Sequence, residues 1–224
     1  MLRPNNSLFN ANRLKLGIFS SNTSGGIAVT RVPERWDASW EHNRALAVMA
    51  DAAGIEFLLA GARWIGYGGE TEFQNNTLET ISWTAGLLAS TQRISVLATM
   101  HTAFNHPIVA AKQFATIDQI GRGRFGLNIV CGWNKLEYDM FGIPLPKEHT
   151  ARYEFGQEWY DVVRKIWSSD APFDWDGKYF HLVRGWETPP EISYASARKR
   201  SVGRASWHAN IYPLCTQFDM IARM

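Results

Sequence analysis

Asn128, Glu137, Arg152 and Tyr153 are the residues whose types and setting could do chemistry. Residues 125–130 read FGLNIV, an apolar run bounded by Gly123 and Gly132, which predicts a strand buried on both faces. Asn128 places two donors and an acceptor in that run, and an unpaired amide there costs roughly 1–3 kcal/mol, so it needs a partner. A long polar loop follows, with Trp133, Lys135, Glu137 and Tyr138, and then a helix start at Arg152 and Tyr153. A planar cation beside a phenol at a helix start suits a phosphate. Taken with Asn128 and Glu137, the pair points to a phosphorylated, planar, hydrogen-bonding ligand. Polar groups gathered where a buried strand ends are where α/β folds place their sites.

The elements that must position these residues alternate. Residues 1–13 read as a flexible arm and 14–19 as a first strand, followed by a glycine- and serine-rich loop. Trp36, Trp40, Ala47, Ala50 and Ala53 recur at helical spacing between Pro33 and Gly54, which predicts a helix over 34–53. A strand over 55–59 leads to Ala62, Arg63, Trp64 and the glycine-rich turn 66–69. Asn76 and Glu79 have capping-box spacing ahead of a helix through Leu88. A strand over 94–99 precedes a helix over 108–120, with Pro107 at its first position and Gly121 past its end. A further helix covers 153–168, and Asp176-Gly177 marks a hairpin turn. Strand and helix alternating with short connections predict a parallel α/β sheet or barrel.

Composition narrows the function. The formal charge of +2 over 224 residues argues against nucleic acid or an acidic membrane as partner. Cys131 and Cys215 lie far apart without metal-ligand spacing, which suggests a reducing compartment and no structural metal. No run approaches a membrane span or a signal peptide, so the expected location is the cytoplasm. Gly121, Gly123 and Gly126 follow the order of a dinucleotide fingerprint, but a helix precedes them and a strand follows, the reverse of what that site needs. They read instead as a sharp turn. His101 and His106 lack a third ligand at metal spacing, so His106 reads as a helix cap and His101 as a pocket or packing residue. No Gly-x-Ser-x-Gly elbow or phosphate-binding Lys-Ser pattern is present.

The run GRGRFGLNIVCGWNKLEYDMFG, with Ala151-Arg152-Tyr153 after it, resembles the bacterial luciferase-like flavin monooxygenases. The branch it is most similar to holds the pyrimidine, alkanesulfonate and dimethylsulfone monooxygenases. The resemblance extends over about residues 14–182, through Ala62-Arg63-Trp64, the 101–107 loop and the DGKYF hairpin. It implies a (β/α)8 TIM barrel of which this chain holds the N-terminal part. The domain is expected over 14–190, with an atypical tail at 191–224 that reads as a truncated or out-of-frame product. Carried over by position, the resemblance implies a cofactor site of Ala62, Arg63, Thr99, Asn128, Glu137, Arg152 and Tyr153, with no catalytic acid, base or nucleophile assigned. The implied cofactor is reduced FMN, supplied by a separate NAD(P)H-dependent reductase. It would react with O2 to a flavin peroxide that oxygenates a small organic substrate. A homodimer through the helices at 78–88 and 108–120 is implied as well. The alternatives are an F420-dependent reductase on the same scaffold and a flavin-binding remnant without turnover.

Overall fold

The structure is a computed structural model that describes residues 6–169 and 171–183. The tail at 191–224, with Arg198, Lys199, Arg200 and Cys215, lies outside the described residues, as does the start of the expected arm. Four strands, β1 (Gly17–Phe19), β2 (Phe57–Leu59), β3 (Ser95–His101) and β4 (Phe125–Val130), form one sheet in the order β1-β2-β3-β4. The pairing is parallel, with Ile18 opposite Leu58 and Leu58 opposite Val96. Helices α1 (Trp40–Ala53), α2 (Thr80–Ser90) and α3 (Pro107–Gly121) occupy the successive crossovers, so the alternation expected from sequence is present. All seven residues of β3 are buried, as a parallel strand covered on both faces requires. By contact, the described residues divide into two compact units, one of residues 6–100 with 120–128 and the other of 101–119 with 129–169 and 171–183.

In the first unit, α1 begins at Trp40 rather than at 34, because Ser39 takes the N-cap role and accepts from the His42 N–H at 3.4 Å. Gly54 ends it in the left-handed conformation at φ 83°, as the stop signal predicts. The capping box expected at Asn76 is not formed. Glu79 is itself the N-cap of α2, accepting from the Ile81 and Ser82 N–H groups at 2.8 Å, while the Asn76 N–H donates to Ser24 Oγ. The two helices meet where Gly86 lets the Trp40 ring approach, since a Cβ there would lie 2.4 Å from it. The Trp83 indole N–H donates to Asn43 Oδ1 at 2.8 Å in the same packing layer. Arg122 and Gly123, at φ 52° and 83°, turn the chain into β4, so of the three glycines read as a turn Gly123 makes it, while Gly121 ends α3 and Gly126 lies within β4.

Residues 6–12 fall within the stretch read as an arm, and the structure ties them down. Asn6 Nδ2 donates to Gly123 O at 2.9 Å, and Asn10 and Asn12 donate to Glu56 Oε1 at 3.1 and 2.7 Å. The Asn10 and Asn12 bonds, with the Leu16 N–H, hold the Glu56 carboxyl down at about 2, the Asn12 contact contributing most. A folded-state value below the ordinary one stabilises the fold above the unfolded value and loses that stabilisation as pH falls. Stability to urea is therefore expected to drop between about pH 4.5 and 2, and Glu56→Gln should flatten that part of the profile. An unchanged acid limb in the variant would show that the clamp contributes nothing.

The second unit is built on α5 (His149–Ser168), whose Trp159, Val162, Val163 and Ile166 are buried. The Trp159 indole donates to Asn105 O at 2.7 Å, and Phe114 packs edge-on to both Trp159 and Trp167. The stretch after β4, read from sequence as a loop throughout, contains a short helix, α4 (Lys135–Met140). Asn134 caps it by accepting from the Leu136 N–H at 3.1 Å. His106 Nδ1 accepts from the Ile108 N–H at 3.3 Å, the helix-cap role read for it. The antiparallel hairpin of β5 (Trp175–Asp176) and β6 (His181–Leu182) forms at the expected turn. Glu158 on α5 holds it, accepting from the Trp175 indole and from the Tyr179 and Phe180 N–H groups.

Candidate cofactor-binding site

In the first unit, the end of β2 presents Ala62 and Arg63. Asn22, fully buried, fixes the backbone just before them: its Nδ2 donates to Gly61 O at 2.7 Å and its Oδ1 accepts from the Gly61 N–H at 2.7 Å. The Arg63 guanidinium donates through Nη2 to the Tyr67 hydroxyl at 2.6 Å, and its Cζ lies 4.8 Å from the centre of that ring. Arg63 Nε also donates to Gln74 Oε1 at 3.4 Å.

The partner that Asn128 needs is Thr99. Asn128 Nδ2 donates to Thr99 Oγ1 at 3.1 Å across β4 and β3, and the Thr99 hydroxyl passes its own proton to Ala60 O at 2.6 Å. The Thr99 carbonyl is held in turn by Thr80 Oγ1 at 2.7 Å. Asn128 is only 3% exposed, and its Oδ1 is buried with no hydrogen-bond partner among the described residues. A carbonyl oxygen fixed in orientation, desolvated and left open is the feature an N–H-bearing ligand would satisfy.

In the second unit, Glu137 on α4 is buried, with Oε2 lying 4.0 Å from His101 Nε2 at the end of β3. Phe104 stacks on Phe141 and meets Tyr138 edge-on, enclosing the side of α4 that carries these groups. The Tyr138 hydroxyl donates to Cys131 O at 2.8 Å, and burial pushes its phenol up to about 12 against the opposing pull of the Arg152 charge. Gly132, at φ 79°, is required here, because a Cβ would lie 2.8 Å from the Tyr138 ring. α5 begins at His149 rather than at 153, so Arg152 and Tyr153 are its fourth and fifth residues, and its N-cap Glu148 makes no side-chain capping bond. Arg152 Nε is buried without a partner among the described residues, and the Tyr153 ring tilts against His149 at 4.5 Å. An uncapped helix start beside a guanidinium with an unused donor is an anion-binding arrangement.

Of the residues expected at the site, Thr99 and Asn128 are joined directly, with Ala62 and Arg63 in the same unit, while Glu137, Arg152 and Tyr153 belong to the other. His101, read from sequence as a pocket or packing residue, stands beside Glu137, while Thr102, whose buried hydroxyl has no partner among the described residues, carries no sequence signal. The signal for His101 was its place at a strand end. Among the described residues no group of His, Cys, Asp and Glu could hold a metal ion, and no helix is long and apolar enough to cross a membrane.

The parallel sheet, its alternating helices and polar residues at the ends of β2, β3 and β4 define an α/β barrel-type scaffold with its candidate site at the strand ends. Residues 14–218 match the family described as luciferase-like monooxygenase, and the chain belongs to that family. It is 36% identical over 170 residues to the pyrimidine monooxygenase RutA of Methylobacterium radiotolerans, covering 75% of this chain and 44% of that protein. The chain thus spans about half the length of the curated relatives it matches. The crystal structure of the riboflavin lyase RcaE with modified FMN and riboflavin superposes with a TM-score of 0.66 at 23% identity, over 76% of this chain and 46% of that one. An F420-dependent secondary alcohol dehydrogenase superposes with a TM-score of 0.62 at 20% identity, over 76% and 47%. These two share the fold. The described part of the chain is a partial luciferase-like barrel.

Proposed function

We propose that this chain binds reduced FMN and serves a cytoplasmic monooxygenase that uses O2 to oxygenate a small organic molecule, a pyrimidine ring being the first to test. The observation that carries the reading is Asn128, whose amide is oriented by Thr99 and whose buried Oδ1 awaits a donor. The donor set fits the cofactor. Asn128 would offer that carbonyl oxygen to a ring N–H, and Thr99, with its proton committed to Ala60, would hold the amide rather than touch the ring. Arg63 would bring a charge held by Tyr67, with Ala62 supplying backbone beside it. Arg152, through its unpartnered Nε, and Tyr153 would receive the phosphate at the start of α5, and Glu137 would accept a further hydrogen bond. Reduced FMN, when bound, supplies the electrons that activate O2, and the chain's residues orient it and keep water out. The proposed partners are a separate NAD(P)H-dependent flavin reductase and a second copy of the chain.

The test is O2 uptake with an NAD(P)H-dependent FMN reductase, with and without uracil. Substrate-dependent uptake with conversion of the pyrimidine is expected. Uptake that yields only hydrogen peroxide points to flavin binding without turnover, and reduced F420 binding in place of FMN overturns the cofactor assignment.

A further inference from the structure

Beneath Arg63 lies a chain of buried polar side chains that nothing in the proposed cofactor site uses. Gln74 is 9% exposed, and its amide makes three contacts. Oε1 accepts from Arg63 Nε at 3.4 Å, while Nε2 donates to Gly26 O at 3.0 Å and reaches Ser20 Oγ at 3.4 Å. Ser20 and Thr23, both fully buried, continue the network with their hydroxyls 2.8 Å apart. Its outer end is the Arg63 guanidinium, held from the other side by the Tyr67 hydroxyl. Tyr67 is itself fixed by stacking on Phe73 and by donating its N–H to Phe73 O at 3.1 Å.

Gln74 and Ser20 both sit in the left-handed region, at φ 56° and 66°. Neither is the glycine or asparagine that adopts it readily, and such residues carry backbone strain. Glycine would relieve that strain at Gln74 but would remove the amide. The strain is retained at two positions whose side chains are consecutive members of one network ending at Arg63. Relaxation of either backbone would turn its side chain out of the network.

We infer that Gln74 is a positioning residue: it orients the Arg63 guanidinium for the bound reduced flavin, with Ser20 and Thr23 fixing the Gln74 amide in turn. This rests on the reading that Arg63 faces the flavin. Gln74→Leu removes both the acceptor and the donors of the amide, whereas Gln74→Glu keeps the acceptor that faces Arg63 Nε. Two readouts separate the inference from the reading beneath it. The first needs no flavin: the Nε–H signal of Arg63 in a 15N correlation spectrum, assigned with Arg63→Ala. It is expected to be protected from exchange in wild type and Gln74→Glu and to vanish in Gln74→Leu. The second is a double-mutant cycle on the dissociation constant for reduced FMN. Gln74→Leu should weaken binding about tenfold, Gln74→Glu by no more than about twofold, and Gln74→Leu should add nothing once Arg63 is Ala. An Arg63 signal indifferent to Gln74→Leu overturns the inference. So does a Gln74→Leu effect of equal size with and without the arginine, which is what a merely structural role gives. A protected, Gln74-dependent Arg63 signal in a chain that binds no flavin overturns the flavin reading and leaves the positioning of Arg63 in place.

Discussion

Asn128→Ala is expected to weaken binding of reduced FMN by roughly 10- to 100-fold while leaving the fold intact. The binding side of this expectation comes from the acceptor. Oδ1 is buried and open among the described residues, so a ligand N–H that meets it gains a hydrogen bond without displacing an internal one. Its loss is worth about 1–3 kcal/mol, and 1.4 kcal/mol is a factor of ten. The folding side comes from the same atom. In the unliganded chain Oδ1 is a desolvated group without compensation, so its removal relieves a cost. The amide's one internal bond, to Thr99, is surrendered, but the Thr99 hydroxyl keeps its bond to Ala60 O. Thr99→Val should act in the opposite sense on stability, since it leaves both Ala60 O and Asn128 Nδ2 without partners. Anaerobic titration followed by tryptophan fluorescence reads the affinities, and urea melts read the stabilities. Equal affinity of wild type and Asn128→Ala would remove the main support for the flavin site.

Arg124→Met should cost about 3–5 kcal/mol of folding stability, the scale for breaking a buried charged network by removing one partner. Arg124 is 4% exposed and donates four hydrogen bonds, through Nη1 to Thr91 Oγ1 and Ile94 O and through Nη2 to Leu88 O and Thr91 O. Leu88 and the residues after it end α2, so the guanidinium supplies donors to carbonyls the helix leaves open. Asp51 secures the same turn from the other side, accepting from the Gln92, Arg93 and Ile94 N–H groups at 2.7–3.0 Å. Burial lowers the affinity of Arg124 for its proton, and the Asp51 charge opposes that shift. Methionine fills much of the volume but strands the acceptors. Chemical denaturation with matched slopes tests this, and a wild-type midpoint for Arg124→Met would show that the turn holds without its cation.

Much of the local architecture was readable because it is encoded locally. Gly54 had to end α1, Asp176-Gly177 had to turn the hairpin, and the reversed order of helix and strand around Gly121 and Gly123 excluded a dinucleotide loop. The misreadings were also local. Ser39 outcompeted Pro33 for the start of α1, and Glu79 replaced Asn76 as the cap of α2. At α1 only Ser39 has a side-chain acceptor for the orphan N–H groups, which Pro33 lacks, and at α2 Glu79 and Asn76 compete for the same groups. The short α4 was missed because six residues are too few to display a period.

For the site, the residue types alone determined that Asn128 needs a partner and that strand ends would carry polar groups, whereas the helix expected to start at 153 begins at His149 and makes Arg152 and Tyr153 its fourth and fifth residues. The family resemblance rested on those same positions. Tertiary structure alone decided that the partner of Asn128 is Thr99, that His101 lies beside Glu137, and that Gln74 and Ser20 stand in strained conformations behind Arg63. The reason is physical. A side chain's need for a hydrogen bond follows from its chemistry and its apolar neighbours in sequence, but the group that meets the need comes from a strand or loop distant in the chain. Its approach is set by sheet register and by loop packing, neither of which is written in any short stretch of residues.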